Sequence, residues 1–198
     1  MGASEMAHPA KNKQTMFFRK KKSNNMKIGD ISGNGNVFIN GSHSCDINIE
    51  KKILTDKKHK QLRYDIAYMK MAQEFAELSY AERAKVGCVI VSSEGQIISQ
   101  GYNGMPAGMD NCCEHMDAEG NLVTNIEVLH AESNAITKCA KWGSSTENCT
   151  IYVTLSPCIE CAKLIIQAGI RRVVYKEKYR NADSIKLLMN AGITVEQL

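Results

Sequence analysis

The period of the apolar positions changes several times along the chain. Over residues 61–78, Leu62, Ile66, Met69, Ala72, Phe75, Ala76 and Leu78 recur every three or four residues, which predicts an amphipathic helix. The runs 86–92 and 96–102 are rich in Val and Ile and meet at Ser-Ser-Glu-Gly, so they predict a β-hairpin. A turn-rich loop follows over 103–127. Then come a helix over 130–141, a strand over 150–155 and a helix over 158–168 closed by Gly169. A strand over 171–175, a helix over 181–190 ending near Gly192, and a strand over 193–196 complete the pattern. Helices alternating with strands in the second half imply parallel strands covered by helices, whereas the opening hairpin is antiparallel. The expected fold is α/β: a three-layer α/β/α sandwich around a mixed five-stranded sheet.

Upstream the pattern shortens. Ile28, then Val37 and Ile39, then Ile47 and Ile49 alternate with polar residues between the turn clusters 32–36 and 40–44. Gly and Asn tolerate positive φ, so this reads as a short β-rich N-terminal extension. Strands this short bury little alone, so the segment is expected to dock on the main domain or pair with another chain. Residues 51–60 are charged and read as a linker or helix entry. The chain thus divides into a flexible basic arm (1–25), a strand-and-turn extension (26–55) and a main domain (56–198).

Composition narrows the class. With 43% apolar residues, 23% charged residues, 14 Gly and three Pro, the 198-residue chain is neither collagen-like nor wholly disordered. No apolar run approaches the roughly 20 residues of a membrane span, and Met16-Phe17-Phe18 is too short for a secretory signal. A cytoplasmic protein with no membrane partner is expected. Residues 1–25 carry six Lys or Arg and one Glu, while the rest of the chain is nearly neutral, so the net charge of +4 describes the arm. Eight cysteines outside a secreted context read mostly as reduced thiols, with Cys158 and Cys161 forming a C-x-x-C.

The candidate chemistry lies at two predicted helix starts. His130-Ala131-Glu132 opens one, and Pro157-Cys158-Ile159-Glu160-Cys161 opens the other. Free N–H groups and the positive dipole end favour thiolates there. One imidazole and two thiolates suit Zn²⁺, and three protein ligands leave the fourth tetrahedral position for water. Glu132, two residues beyond the histidine, can stand beside that water without ligating the metal and move protons. A structural zinc site would need a fourth ligand, for which Cys112, Cys113 or His115 are available.

The H-x-E and P-C-x-x-C motifs together resemble the signature of zinc-dependent nucleobase deaminases. Further runs are similar to the deoxycytidylate (dCMP) deaminase family within the cytidine deaminase-like superfamily. They are G-Y-N-G-M-P-A-G over 101–108, H-A-E-S-N-A-I over 130–136, Y-V-T-L-S-P-C-I-E-C-A-K over 152–163 and I-I-Q-A-G-I over 165–170. The resemblance covers about residues 62–198 and none of 1–55. It implies a cytidine deaminase-like fold and hydrolysis of dCMP to dUMP and ammonia, feeding dTMP synthesis. It also implies a homo-oligomer, with a hexamer favoured, and control by dCTP and by dTTP with Mg²⁺. Carried over residue by residue, His130, Cys158 and Cys161 hold one catalytic zinc and Glu132 is the proton shuttle. Asn103, Ala131, Ser156 and Tyr179 contact the substrate, and Gly101, Tyr102 and Gly104 form an effector loop. The 5′-phosphate needs a cation, for which Arg83 and Lys85 are the candidates.

The sequence also departs from the family. Val128 stands where some relatives carry a ligand for a second, structural zinc, and Ala81 and Glu82 offer no thiol, so one zinc per chain is expected. Lys138 and Lys141 follow the first helix start in a region some relatives use for the effector, which leaves regulation open. Two other readings compete. One is a deaminase acting on a polynucleotide held by the basic arm, or on another cytosine nucleotide; the near-neutral body and the single Trp142 lack the basic groove and stacking platforms that a strand requires. The other is a zinc-binding interaction module recruited through the N-terminal segment by strand pairing.

Overall fold

The computed structural model describes residues 43–180 and 182–198. Helix α1 (His43–Ala76) leads into the antiparallel pair β1 (Gly87–Val91) and β2 (Ile97–Tyr102). A small hairpin, β3 (Glu114–Met116) and β4 (Leu122–Thr124), precedes helix α2 (Ala131–Trp142). Then follow β5 (Thr150–Leu155), α3 (Ile159–Gln167), β6 (Arg172–Glu177), α4 (Asp183–Asn190) and β7 (Thr194–Gln197). The main sheet has the order β2-β1-β5-β6-β7, with β1 antiparallel to both neighbours and β5, β6 and β7 parallel. This is the mixed five-stranded sheet expected from the sequence.

Strand alternation builds two cores. Cys88 and Ile90, Ile151 and Val153, and Val173 and Tyr175 face one way and meet Ala131, Ala135, Ala162, Ile165 and Leu188 of α2, α3 and α4. Val89, Val91, Tyr152 and Val174 face the other way and meet Met69 and Ala72 of α1. Gly87 lets α1 approach β1 closely: a Cβ there would lie 1.9 Å from the Ala72 carbonyl oxygen. The α1 side is also tied by charge. The Arg172 guanidinium donates to both carboxylate oxygens of Asp65, at 2.7 and 2.8 Å, and the Tyr152 hydroxyl donates to the same carboxylate at 2.7 Å. Glu196 completes the cluster on Arg172.

Three expectations are corrected. The strand read around Ile47 and Ile49 is helix, and of the two readings of 51–60, linker or helix entry, the helix holds, so the boundary proposed at 55/56 falls inside α1. The reason lies in the following residues: good helix formers from Glu50 onward extend the helical turn backward through two apolar positions too few to hold a strand in a sheet. Leu62, Ile66 and Leu78 do not join the core; they remain 46%, 41% and 53% exposed, and packing begins only at Asp65 and Met69. The 103–127 loop contains the β3–β4 hairpin. The basic arm, the strands read around Ile28 and over 37–39, and the helix start at Asn181 lie outside the described residues. Among the described residues no helix is long and apolar enough to cross a membrane, and the seven cysteines described are all free thiols.

Candidate active site

Sheet direction explains why distant segments meet. The carboxyl ends of β2, β5 and β6 lie at the same edge as the amino end of β1, because β1 runs antiparallel to its two neighbours. Arg83, Ala84, Val86, Asn103, Leu155, Ser156, Cys158, Tyr179 and Arg180 therefore converge, and α2 starts beside them. They surround a cavity of about 440 Å³, within the usual range for small-ligand sites.

His130 and Cys158 each stand one residue ahead of a helix, in extended backbone (φ −73°, ψ 157° and φ −74°, ψ 174°). Extended N-cap geometry turns the side chain away from the helix axis while the backbone carbonyl starts the helix. The His130 carbonyl accepts from Asn134 N–H at 2.9 Å, and the Cys158 carbonyl accepts from Ala162 N–H at 2.9 Å. The Asn134 side chain then donates to the Tyr102 carbonyl at 2.9 Å, pinning α2 to β2. Gly101 permits this contact, since a Cβ there would lie 2.2 Å from the Ala131 carbonyl oxygen.

The two helix starts bring His130 Nδ1 to 3.4 Å from Cys158 Sγ and 3.4 Å from Cys161 Sγ. A tetrahedral zinc with ordinary Zn–N and Zn–S bonds separates such donors by about 3.6 Å, so the three atoms already stand at metal-ligand spacing. Among the described residues this is the group of His, Cys, Asp and Glu side chains arranged to hold a metal. The three side chains are coupled to one another. Cys158 is drawn down to about 3, first by the Cys161 thiol donating to it and then by His130 and the Cys161 N–H. Cys161 is pushed up in turn by its bond to Cys158 and by burial. His130 is raised, mainly by its bond to Cys158. The donor set fits zinc.

Glu132 forms the cavity wall beside this group and is 3% exposed. Burial raises its pKa above the usual carboxylate range, which suits a group that must take up and return a proton. Ala131 and the buried Ser156 also line the cavity. Ser156 acts partly as a clip: its N–H donates to the Glu177 carbonyl and its hydroxyl accepts from the Tyr179 N–H, both at 2.8 Å. Tyr179 is thereby held at the cavity with its side chain partly exposed. Asn103 is present too, but its amide is engaged, accepting from Val86 N–H and donating to the Ala84 carbonyl at 2.8 Å each.

The two phosphate candidates separate. Arg83 lines the cavity, whereas Lys85 lies outside it and faces the Glu77 carboxylate at 3.6 Å. The physical reason is strand entry: adjacent positions alternate sides, so Arg83 and Lys85 share one only if the backbone is extended, and residues 82–83 form a bend. Of the effector-loop candidates, Gly101 lies beneath α2, Tyr102 carries Lys138 Nζ 5.6 Å from its ring centroid, and Gly104 bridges to Leu129. Cys112 and His115 are engaged in the hairpin region, by the Glu114 carbonyl and the Asn125 side chain. Sequence reasoning missed Arg180, Glu114 and Thr124 at the cavity. Arg180 could have been found from its place beside Tyr179; the other two arrive only through hairpin register.

This arrangement, a His/Cys/Cys metal group with a buried glutamate at the carboxyl edge of a mixed sheet, defines a zinc-binding deaminase fold, and comparisons agree. Residues 62–177 match the profile of the cytidine and deoxycytidylate deaminase zinc-binding region. The chain is 41% identical over 146 residues to a human deoxycytidylate deaminase, covering 70% of this chain and 81% of that protein. It is 39% identical over 166 residues to a Saccharomyces cerevisiae deoxycytidylate deaminase, covering 77% of this chain and 52% of the yeast protein, so it spans about half of that relative's length. The crystal structure of a dCMP deaminase from cyanophage S-TIM5 in complex with dCMP and dUMP superposes with a TM-score of 0.62 at 43% identity, covering 67% of this chain and 94% of that one. The chain belongs to the cytidine and deoxycytidylate deaminase family.

Proposed function

We propose that this protein hydrolyses dCMP to dUMP and ammonia, feeding dTMP synthesis. The observation that carries the reading is the convergence of His130, Cys158 and Cys161 beside the buried Glu132, in a cavity whose wall also presents Arg83 and Arg180. The deoxycytidylate deaminases among its relatives support the choice of base and phosphate. His130, Cys158 and Cys161 hold the metal, which when bound supplies Lewis acidity and lowers the pKa of water toward neutrality.

The chain's own residues do the rest. Glu132 takes a proton from the attacking water and delivers it to the ring nitrogen next to the amino-bearing carbon. A second proton passed to the exocyclic nitrogen lets ammonia depart, and the carbonyl of dUMP remains, so one water is consumed for each ammonia released. Tyr179, clipped by Ser156, and the Asn103 wall confine the nucleoside. Arg83 supplies charge-assisted donors to the 5′-phosphate, with Arg180 as a second cation at the cavity.

The reading extends to a homo-hexamer controlled by dCTP and by dTTP with Mg²⁺ at the 101–104 segment. Two sets of contacts from that segment support it: Tyr102 meets α2 through Asn134 and Lys138, and Gly104 bridges to Leu129, one residue ahead of His130. Ammonia release from dCMP, cytidine, deoxycytidine and dCTP by zinc-assayed protein tests the central claim. Turnover confined to dCMP, and reduced at least ~100-fold in Glu132→Gln with zinc retained, is expected. Full zinc occupancy without turnover of dCMP, even with dCTP and Mg²⁺ added, would refute it.

A further inference from the structure

The β3–β4 hairpin touches the cavity at one point, and there it holds a single residue twice. Glu114 and Thr124 are directly opposite each other in the hairpin register, so their side chains leave the same face. The Glu114 carboxylate accepts from the backbone N–H of Glu82 at 3.2 Å and of Arg83 at 3.4 Å. The Thr124 hydroxyl accepts from Arg83 Nη1 at 2.9 Å. The backbone and the guanidinium of Arg83 are thus both fixed from one cross-strand pair.

The chemistry of the two partners differs in a way that matters. Glu114, the acid, engages backbone N–H groups; the guanidinium receives only a neutral hydroxyl. Among the described residues Arg83 forms no ion pair, unlike Lys85, Lys163, Arg172 and Lys186. No carboxylate therefore occupies its guanidinium at ion-pair distance, while a long side chain that would otherwise sample many rotamers is held by the Thr124 hydroxyl. Pre-ordering removes part of the entropy cost of binding an anion, and the planar guanidinium fork keeps four further N–H donors for it.

The hairpin itself is tightly knit. The Asn125 N–H donates to the Cys113 carbonyl at 2.8 Å and the Asn125 side chain to the Cys112 carbonyl at 2.7 Å. Its turn is closed by Asp117, whose carboxylate accepts from Glu119 N–H and from Asn121 N–H. Cys113 is buried at its base.

We infer that this hairpin is a clamp for monophosphate selection, with Glu114 and Thr124 as positioning residues that hold Arg83 for the 5′-phosphate. The inference rests on the assignment of Arg83 to that phosphate, and the test separates the two. In the full-length zinc-loaded protein, Thr124→Val removes the hydroxyl at constant shape. KM for dCMP should rise about fivefold with kcat within about twofold, the loss expected for one hydrogen bond. The dissociation constant of dUMP, measured by titration calorimetry, should rise by the same factor, and Thr124→Ser should restore both. Glu114→Ala, a second variant, should raise KM in the same selective way. In an Arg83→Gln background the Thr124→Val effect should vanish. An equal effect of Thr124→Val in both backgrounds, or none in the parent, would overturn the clamp while leaving Arg83 on the phosphate. Unchanged dCMP and dUMP binding in Arg83→Gln alone would instead overturn the phosphate assignment, and the clamp with it.

Discussion

Replacing Gly101 by Ala probes how the metal ligands are held. The added Cβ would lie 2.2 Å from the Ala131 carbonyl oxygen and 2.7 Å from the Ala135 nitrogen, both backbone atoms of α2. These distances fall about 1 Å short of ordinary contact, so α2 must move away from β2. Three side-chain bonds depend on the present spacing: Ser99 to the Ala135 carbonyl at 2.8 Å, Asn134 to the Tyr102 carbonyl at 2.9 Å and Lys138 to the Gln100 carbonyl at 3.0 Å. Overpacking costs about 1–3 kcal/mol, and loosening these bonds adds about 1 kcal/mol for each one lost. A net loss of about 3 kcal/mol corresponds to a fall in Tm of roughly 6–12 °C for a domain of this size. Because His130 caps the same helix, chelator competition should also extract zinc from the variant more readily. Gly104→Ala is the internal control: its nearest neighbour would be Tyr102 Cε2 at 4.0 Å, so its melting point should barely change. Differential scanning fluorimetry and metal competition read both variants. A Gly101→Ala protein that melts within about 2 °C of the parent would refute the close-approach reasoning.

Other outcomes follow from the same geometry. Cys158→Ser removes the sulfur that the Cys161 N–H and His130 converge upon; zinc content by atomic spectroscopy should fall well below one per chain, with loss of turnover. Lys85→Ala should leave KM for dCMP within about twofold, since Lys85 faces Glu77 outside the cavity, and exposed pairs contribute at most about 1 kcal/mol. Asp65→Asn should cost about 2–3 kcal/mol in urea unfolding, less than the 3–5 kcal/mol of a broken buried pair because Glu196 still faces Arg172. Burial alone would raise the Asp65 pKa, but the bonds from Arg172, Tyr152 and Gln61 outweigh it and hold it below 3.8. Its stabilisation is therefore complete above the unfolded-state pKa and is lost as pH falls through the lower folded value. Below about pH 4 the gap between parent and Asp65→Asn should close; a gap independent of pH would refute the assignment.

Each half of the metal group was legible because its geometry is local, while the sheet order brings the two halves together. A histidine or cysteine just before a helix, with a second cysteine three residues on, presents its donor at a helix start wherever that helix sits, so His130, Glu132, Cys158 and Cys161 were readable from spacing and resemblance. The five main strands and the helices between them were legible for a related reason, since burial on one face or two sets the period of apolar residues. The N-terminal segment misled because Ile47 and Ile49 alternate over only two positions, while the helix that includes them is propagated from charged residues further along. The ends of the cavity were decided by tertiary structure alone. Arg83 and Lys85 are equivalent as sequence, and only the bend at 82–83 and the Glu77 carboxylate separate them. Glu114 and Thr124 carry no motif; an antiparallel register joins residues ten apart in sequence and sets them against a segment more than thirty residues upstream. A donor's place at its own helix start is written in local spacing, whereas a cation's place and its lack of an ion-pair partner depend on which distant partners the fold brings to it.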